Sequence, residues 1–127
     1  MTRLIVDTSL FIRAERGEAQ AINRLERLLT ESWGIASVTL YELTCSSALT
    51  EELRQFYEDL FAFAKVHSVT RGAAAAAALV SSTRDTPLKA PDALIAGVAL
   101  ERGARIVTAD PGFGRIPGLD VELVLPS

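Results

Sequence analysis

The chain has 127 residues, 49% of them hydrophobic, and a formal net charge of −3. That composition suits a single globular domain over residues 1–127 and excludes both a disordered chain and a protein that grips nucleic acid through a broadly basic surface. It does not exclude a nuclease, because a cluster of carboxylates lowers the net charge and a bound cation restores the local balance.

Residues 3–6 read as a short buried strand, since Leu4, Ile5 and Val6 are apolar and two of them β-branched. Asp7, Thr8 and Ser9 stop it, and Thr8 or Ser9 is placed to cap a short helix over residues 10–15, which Gly17 breaks. A second helix is expected over residues 18–30 from the spacing of Ile22, Leu25, Leu28 and Leu29. Residues 33–36 look like a second strand. Ser37 then suits the N-cap of a helix over residues 38–49, with Glu42 inside its apolar stretch.

A further helix covers residues 51–64, where Leu53, Phe56, Tyr57, Leu60, Phe61 and Phe63 form a wide apolar stripe. Residues 65–68 are a third strand, and Thr70 caps an alanine-rich helix reaching about residue 83. A polar loop with Pro87 follows. Pro91 belongs in the first turn of a helix over residues 92–102, ended by Gly103 in a left-handed cap. Ile106 and Val107 form a fourth strand, residues 110–118 a loop rich in proline and glycine, and residues 119–125 a last strand. Strands alternating with helices imply a parallel sheet covered on both faces, with functional groups gathered beyond the carboxyl ends of its strands.

Asp7 follows the first strand directly and Asp110 closely follows the fourth, so two acids from distant parts of the chain are expected at one sheet edge. Asp92, in the first turn of a helix, is stabilised there by the helix N-terminus whatever else it does. Glu42, flanked by Leu40, Tyr41 and Leu43, is costly to bury unpaired, and Arg13 or Lys89 is a conceivable ion-pair partner. Four converging carboxylates repel one another, and a divalent cation relieves the repulsion. Mg²⁺ and Mn²⁺ suit such oxygen-only ligands, and either can lower the pKa of a water and hold a scissile phosphate.

The segments Leu4-Ile5-Val6-Asp7-Thr8-Ser9, Ser37-Val38-Thr39-Leu40-Tyr41-Glu42-Leu43, Pro91-Asp92-Ala93-Leu94-Ile95-Ala96 and Ile106-Val107-Thr108-Ala109-Asp110, followed by Phe113, occur in that order. With them the whole chain resembles the PIN-domain ribonucleases, most closely the VapC-like toxins of toxin–antitoxin pairs. The resemblance implies a three-layer α/β/α domain with a central, mainly parallel sheet, and RNA endonuclease activity dependent on Mg²⁺ or Mn²⁺. Asp7, Glu42, Asp92 and Asp110 would be the catalytic and metal-holding acids, with the Thr8 and Thr108 hydroxyls supporting them. It also implies a homodimer and a small antitoxin protein whose tail occupies the active-site groove. The chain departs from the family pattern in carrying Ala109 where Asn is frequent, and Gly112 where many members place another acid, which bears on a second metal ion more than on the first.

The remaining side chains of note have plainer readings. His67 is expected in packing or at the surface rather than in catalysis, Cys45 as a small buried apolar residue, and the aromatic set with Trp33 as core or interface. Arg13, Arg16, Lys89 and Arg115 could meet RNA phosphates but read first as solvated charge. The lone cysteine rules out an intrachain disulfide and suits a reducing, cytoplasmic setting, while Asp7 ends the first apolar run too early for a secretory leader. A phosphorylatable receiver domain would need an acidic neighbour to Asp7 and a late-strand lysine; a haloacid-dehalogenase-type phosphatase would need Asp at Ser9. A non-catalytic interaction module of the same fold is the main alternative.

Overall fold

The computed structural model describes residues 2–83 and 88–126. Five strands, β1 (Leu4–Val6), β2 (Trp33–Ala36), β3 (Lys65–His67), β4 (Arg105–Thr108) and β5 (Val121–Leu123), form one sheet in the order β3-β2-β1-β4-β5. Every pairing is parallel, with Ile5 opposite Gly34 on one side and Ile106 on the other. Parallel neighbours need crossovers. Among the described residues these use α1 (Thr8–Glu15), α2 (Ala19–Arg27), α3 (Ser37–Thr44), α4 (Glu51–Phe63), α5 (Arg71–Ser82) and α6 (Ala90–Arg102). The expected α/β architecture is the one observed.

The three-residue strand β1 shows why both faces of the sheet are covered. Its side chains alternate. Leu4 and Val6 join Leu10, Phe11, Leu28, Tyr57 and Phe61 in one apolar cluster, so α1, α2 and α4 pack on that face. Ile5 joins Ala73, Val80, Ile95, Val98 and Ile106 in a second cluster under α5 and α6. Helix α3 touches both, with Leu43 in the first cluster and Val38 against the second. Small side chains let α5 and α6 approach closely: a Cβ on Gly97 would run into the Ala73 carbonyl oxygen and lie 3.0 Å from the Ala77 methyl.

Several local expectations are corrected. The first helix is capped by Asp7, not by Thr8 or Ser9, because the Asp7 carboxylate accepts the Ser9 N–H at 3.3 Å. Ala36, not Ser37, stands at the N-cap of α3 and offers no side-chain bond. That helix stops at Thr44 rather than near residue 49; beyond it Ser46 Oγ accepts the Ala48 N–H and starts a polar turn. The last turn of the second helix tightens into a 3₁₀ turn over Leu28–Thr30. The final strand is confined to Val121–Leu123, and Cys45 is exposed rather than packed.

Phe56 and Phe63 are exposed, whereas Tyr57 and Phe61 stack in the core. His67 is buried and shares a 2.9 Å hydrogen bond with Thr2 Oγ1. Thr70 and Gly103 cap α5 and α6 as expected, Gly103 at φ 61°. The part of the expected polar loop that holds Pro87 lies outside the described residues.

Candidate active site

The strand order sets the position of the site. From β1 the chain moves outward through β2 to β3, then returns to place β4 on the other side of β1. At the carboxyl ends of β1 and β4 the crossovers therefore diverge, which is the usual ligand position in open parallel sheets. Asp7 emerges there from β1 and is tied to β4 by its N–H, which donates to the Val107 carbonyl at 2.9 Å.

Asp7 is 2% exposed, and its two carboxylate oxygens are used unequally. Oδ2 accepts from Ser9 Oγ at 2.6 Å, from Thr108 Oγ1 at 2.8 Å and from the Ser9 N–H at 3.3 Å. Oδ1 is buried with no hydrogen-bond partner. Burial raises the Asp7 pKa above its ordinary value, and the Ser9 and Thr108 hydrogen bonds offset only part of that rise. Ser9 also accepts the Ala109 N–H at 3.0 Å, so one hydroxyl joins the end of β1 to the residue after β4.

Asp110 is held by the turn that follows β4. Its N–H donates to Thr108 Oγ1 at 3.0 Å, and its Oδ1 accepts the Gly112 N–H at 2.9 Å, capping a 3₁₀ turn over Pro111–Arg115. Glu42 lies on α3, where Thr8 Oγ1 donates to its Oε1 at 2.6 Å. The conceivable ion pair from Arg13 to Glu42 is not made; Arg13 bonds Glu18 at 3.3 Å. Asp92 occupies the first turn of α6. Its pKa is pushed up to about 6, first by burial and then by the negative charges of Asp7, Asp110 and Glu42, with Lys89 acting in the opposite sense. All four acids therefore act on one electrostatic neighbourhood.

They do not form a closed cage. Among the described residues, no three Asp, Glu, His or Cys side chains are gathered so as to hold a metal ion by themselves. Mg²⁺ does not demand such a cage, since it keeps several waters and is commonly bound through one or two carboxylates. The donor set fits a hard divalent cation in two respects: a buried carboxylate oxygen on Asp7 with no proton donor, and a carboxyl at Asp92 whose ionisation is opposed by three other acids.

Sequence reasoning missed Ser9 as part of the site, although its place two residues after a helix-capping Asp was the available signal. It also missed Thr39, which is fully buried and 3.0 Å from Thr8 Oγ1.

The PIN domain family model matches residues 4–119. The chain belongs to the PIN domain family. Comparison with curated proteins gives no match. Among solved structures, this PIN domain is similar to a chain of DNA-bound VapBC from Salmonella typhimurium, at 25% identity and a TM-score of 0.81 over 96% of this chain and 98% of that one. It is also similar to a chain of a toxin–antitoxin complex from Klebsiella pneumoniae, at 21% identity and a TM-score of 0.80 over 98% and 99%. A third similar chain belongs to VapBC-5 from Mycobacterium tuberculosis, at 23% identity and a TM-score of 0.70 over 98% and 99%.

Away from the acidic site, α1, α2 and α4 border an apolar groove of about 430 Å³ lined by Phe11, Ala14, Ile22, Leu25, Leu53 and Phe56, with Glu15 and Glu26 also in its wall. No described helix is long and apolar enough to cross a membrane.

Proposed function

We propose that this PIN domain is a divalent-metal-dependent endoribonuclease and the toxin of a VapBC-type pair. The observation that carries the reading is the meeting of acids beyond the carboxyl ends of β1 and β4, where a buried Asp7 oxygen lacks a partner and the Asp92 carboxyl is raised by burial and then by three neighbouring acids. The Asp7, Glu42, Asp92 and Asp110 carboxylates would hold Mg²⁺ or Mn²⁺, directly or through water. When bound, that cation supplies a water of lowered pKa and neutralises charge on a phosphodiester.

The chain's own residues do the positioning. Ser9 and Thr108 occupy Asp7 Oδ2 and leave Oδ1 as the oxygen without a proton donor. Thr8 fixes Glu42, and the turn after β4 fixes Asp110. Lys89, which bears on Asp92 electrostatically, is a cation available to an RNA phosphate beside the acids. Hydrolysis in this arrangement leaves a 5′-phosphate and a 3′-hydroxyl and needs no nucleophilic side chain.

The partner reading rests on the toxin–antitoxin complexes among the similar structures. The apolar groove beside α1, α2 and α4 suits an apolar segment of a small antitoxin carrying basic residues toward Glu15 and Glu26. A homodimer and a cytoplasmic setting belong to the same reading.

The test is cleavage of total cellular RNA by partner-free protein and by Asp7→Asn, each with Mg²⁺, Mn²⁺ or EDTA. Metal-dependent cutting by the wild type alone is expected. Wild-type protein that cuts nothing under any metal would replace the nuclease with a non-catalytic interaction module.

A further inference from the structure

Thr39 sits in the first turn of α3 with a relative exposure of 0%. A hydroxyl at that depth is costly unless it is bonded, and valine has nearly the same shape without the cost. In a first turn the usual use of a threonine hydroxyl is a bond to its own backbone. Thr39 makes none. Its hydrogen-bond partner is Thr8 Oγ1, 3.0 Å away on α1.

The position of that bond gives it a use. Thr39 and Glu42 are three residues apart and share one face of α3. Both reach the same Thr8 hydroxyl, at 3.0 Å and 2.6 Å. Thr8 has one hydroxyl proton. The Thr8 hydroxyl is the donor to both Thr39 Oγ1 and Glu42 Oε1, so its one proton is shared between two acceptors on α3, with the shorter contact to Glu42. Thr8, at 6% exposure and in the first turn of α1, is held between two points one helical turn apart. Without Thr39, rotation of Thr8 about χ1 would give up only the Glu42 acceptor; with it, rotation takes the hydroxyl away from both acceptors at once.

We infer that Thr39 is a positioning residue, which through Thr8 fixes the Glu42 carboxylate in the orientation that holds a divalent cation. This rests on the reading of Glu42 as one of the metal-holding acids.

The test measures Mn²⁺ binding directly, from the free-Mn²⁺ electron paramagnetic resonance signal, alongside RNA cleavage. The proteins are the wild type, Thr39→Val, Thr39→Ser, Glu42→Gln and the Thr39→Val/Glu42→Gln double variant. Thermal denaturation in EDTA confirms that each is folded. Thr39→Val is expected to weaken Mn²⁺ binding about tenfold, the lower end for groups that orient metal ligands, and Thr39→Ser to restore it. In the Glu42→Gln background the valine substitution should have no further effect. Equal Mn²⁺ binding by wild type and Thr39→Val overturns the proposal and leaves the nuclease intact, as does an undiminished effect in the Glu42→Gln background. A folded wild type that neither binds Mn²⁺ nor cuts RNA overturns both readings.

Discussion

Replacing Asp92 with Asn separates the electrostatic cost of the acidic site from its use. The wild-type carboxyl has its pKa pushed from 3.8 to about 6 by burial and by Asp7, Asp110 and Glu42. A carboxyl raised on folding binds its proton more tightly in the folded state, so stability falls as pH rises from the unfolded value through the folded one. The penalty is absent well below 3.8 and fully present above about 6. That displacement corresponds to about 3 kcal/mol at most, and water screening at a partly exposed group reduces it to about 1–2 kcal/mol.

Asn mimics the protonated carboxyl and removes the penalty. In EDTA, urea denaturation followed by circular dichroism should show the two proteins diverging between about pH 4 and about pH 6, with Asp92→Asn more stable by about 1–2 kcal/mol above that window. Excess Mg²⁺ should stabilise the wild type and do less for the variant, because only a ligand that binds the folded state shifts the equilibrium. A variant no more stable than the wild type at the upper pH in EDTA would refute the argument, since the four acids would then not burden one another.

Two further substitutions probe the supports of the site and of the fold. Thr108→Val removes the hydroxyl that donates to Asp7 and accepts from the Asp110 N–H; Mn²⁺ affinity should fall about tenfold, as read by titration. Gly97→Ala forces a methyl against the Ala73 carbonyl oxygen where α5 and α6 meet. It should cost about 1–3 kcal/mol in urea denaturation without altering the acids.

The parts of the fold legible in the sequence were those written in local pattern. The alternation of short apolar runs with helical spacings led to a parallel α/β sheet, and Thr70 and Gly103 announced the ends of their helices. Caps were misread where two candidates stood side by side. Asp7 outcompetes Thr8 and Ser9 because its carboxylate reaches the Ser9 N–H, and that leaves Thr8 free to bond Glu42 across the domain. The helical pattern of residues 38–49 overran its end because the polar turn at Ser46 is set by a side chain, not by a break in hydrophobicity. Within the candidate site, the strand ends made Asp7 and Asp110 conspicuous. The hydroxyls were not, because Thr39, Thr8 and Glu42 meet only when α1 and α3 dock, over separations of 31 and 34 residues. No local spacing encodes that meeting.

The bond between Thr108 and Asp7 spans 101 residues, and β1 is flanked by β4 only after residues 105–108 have been made. Synthesis runs from the N-terminus at about 5–20 residues per second. For several seconds a nascent chain therefore carries Asp7, Thr8, Ser9, Thr39 and Glu42 without the strand that fixes the first of them. The site is therefore completed only when β4 has been made and takes its place beside β1.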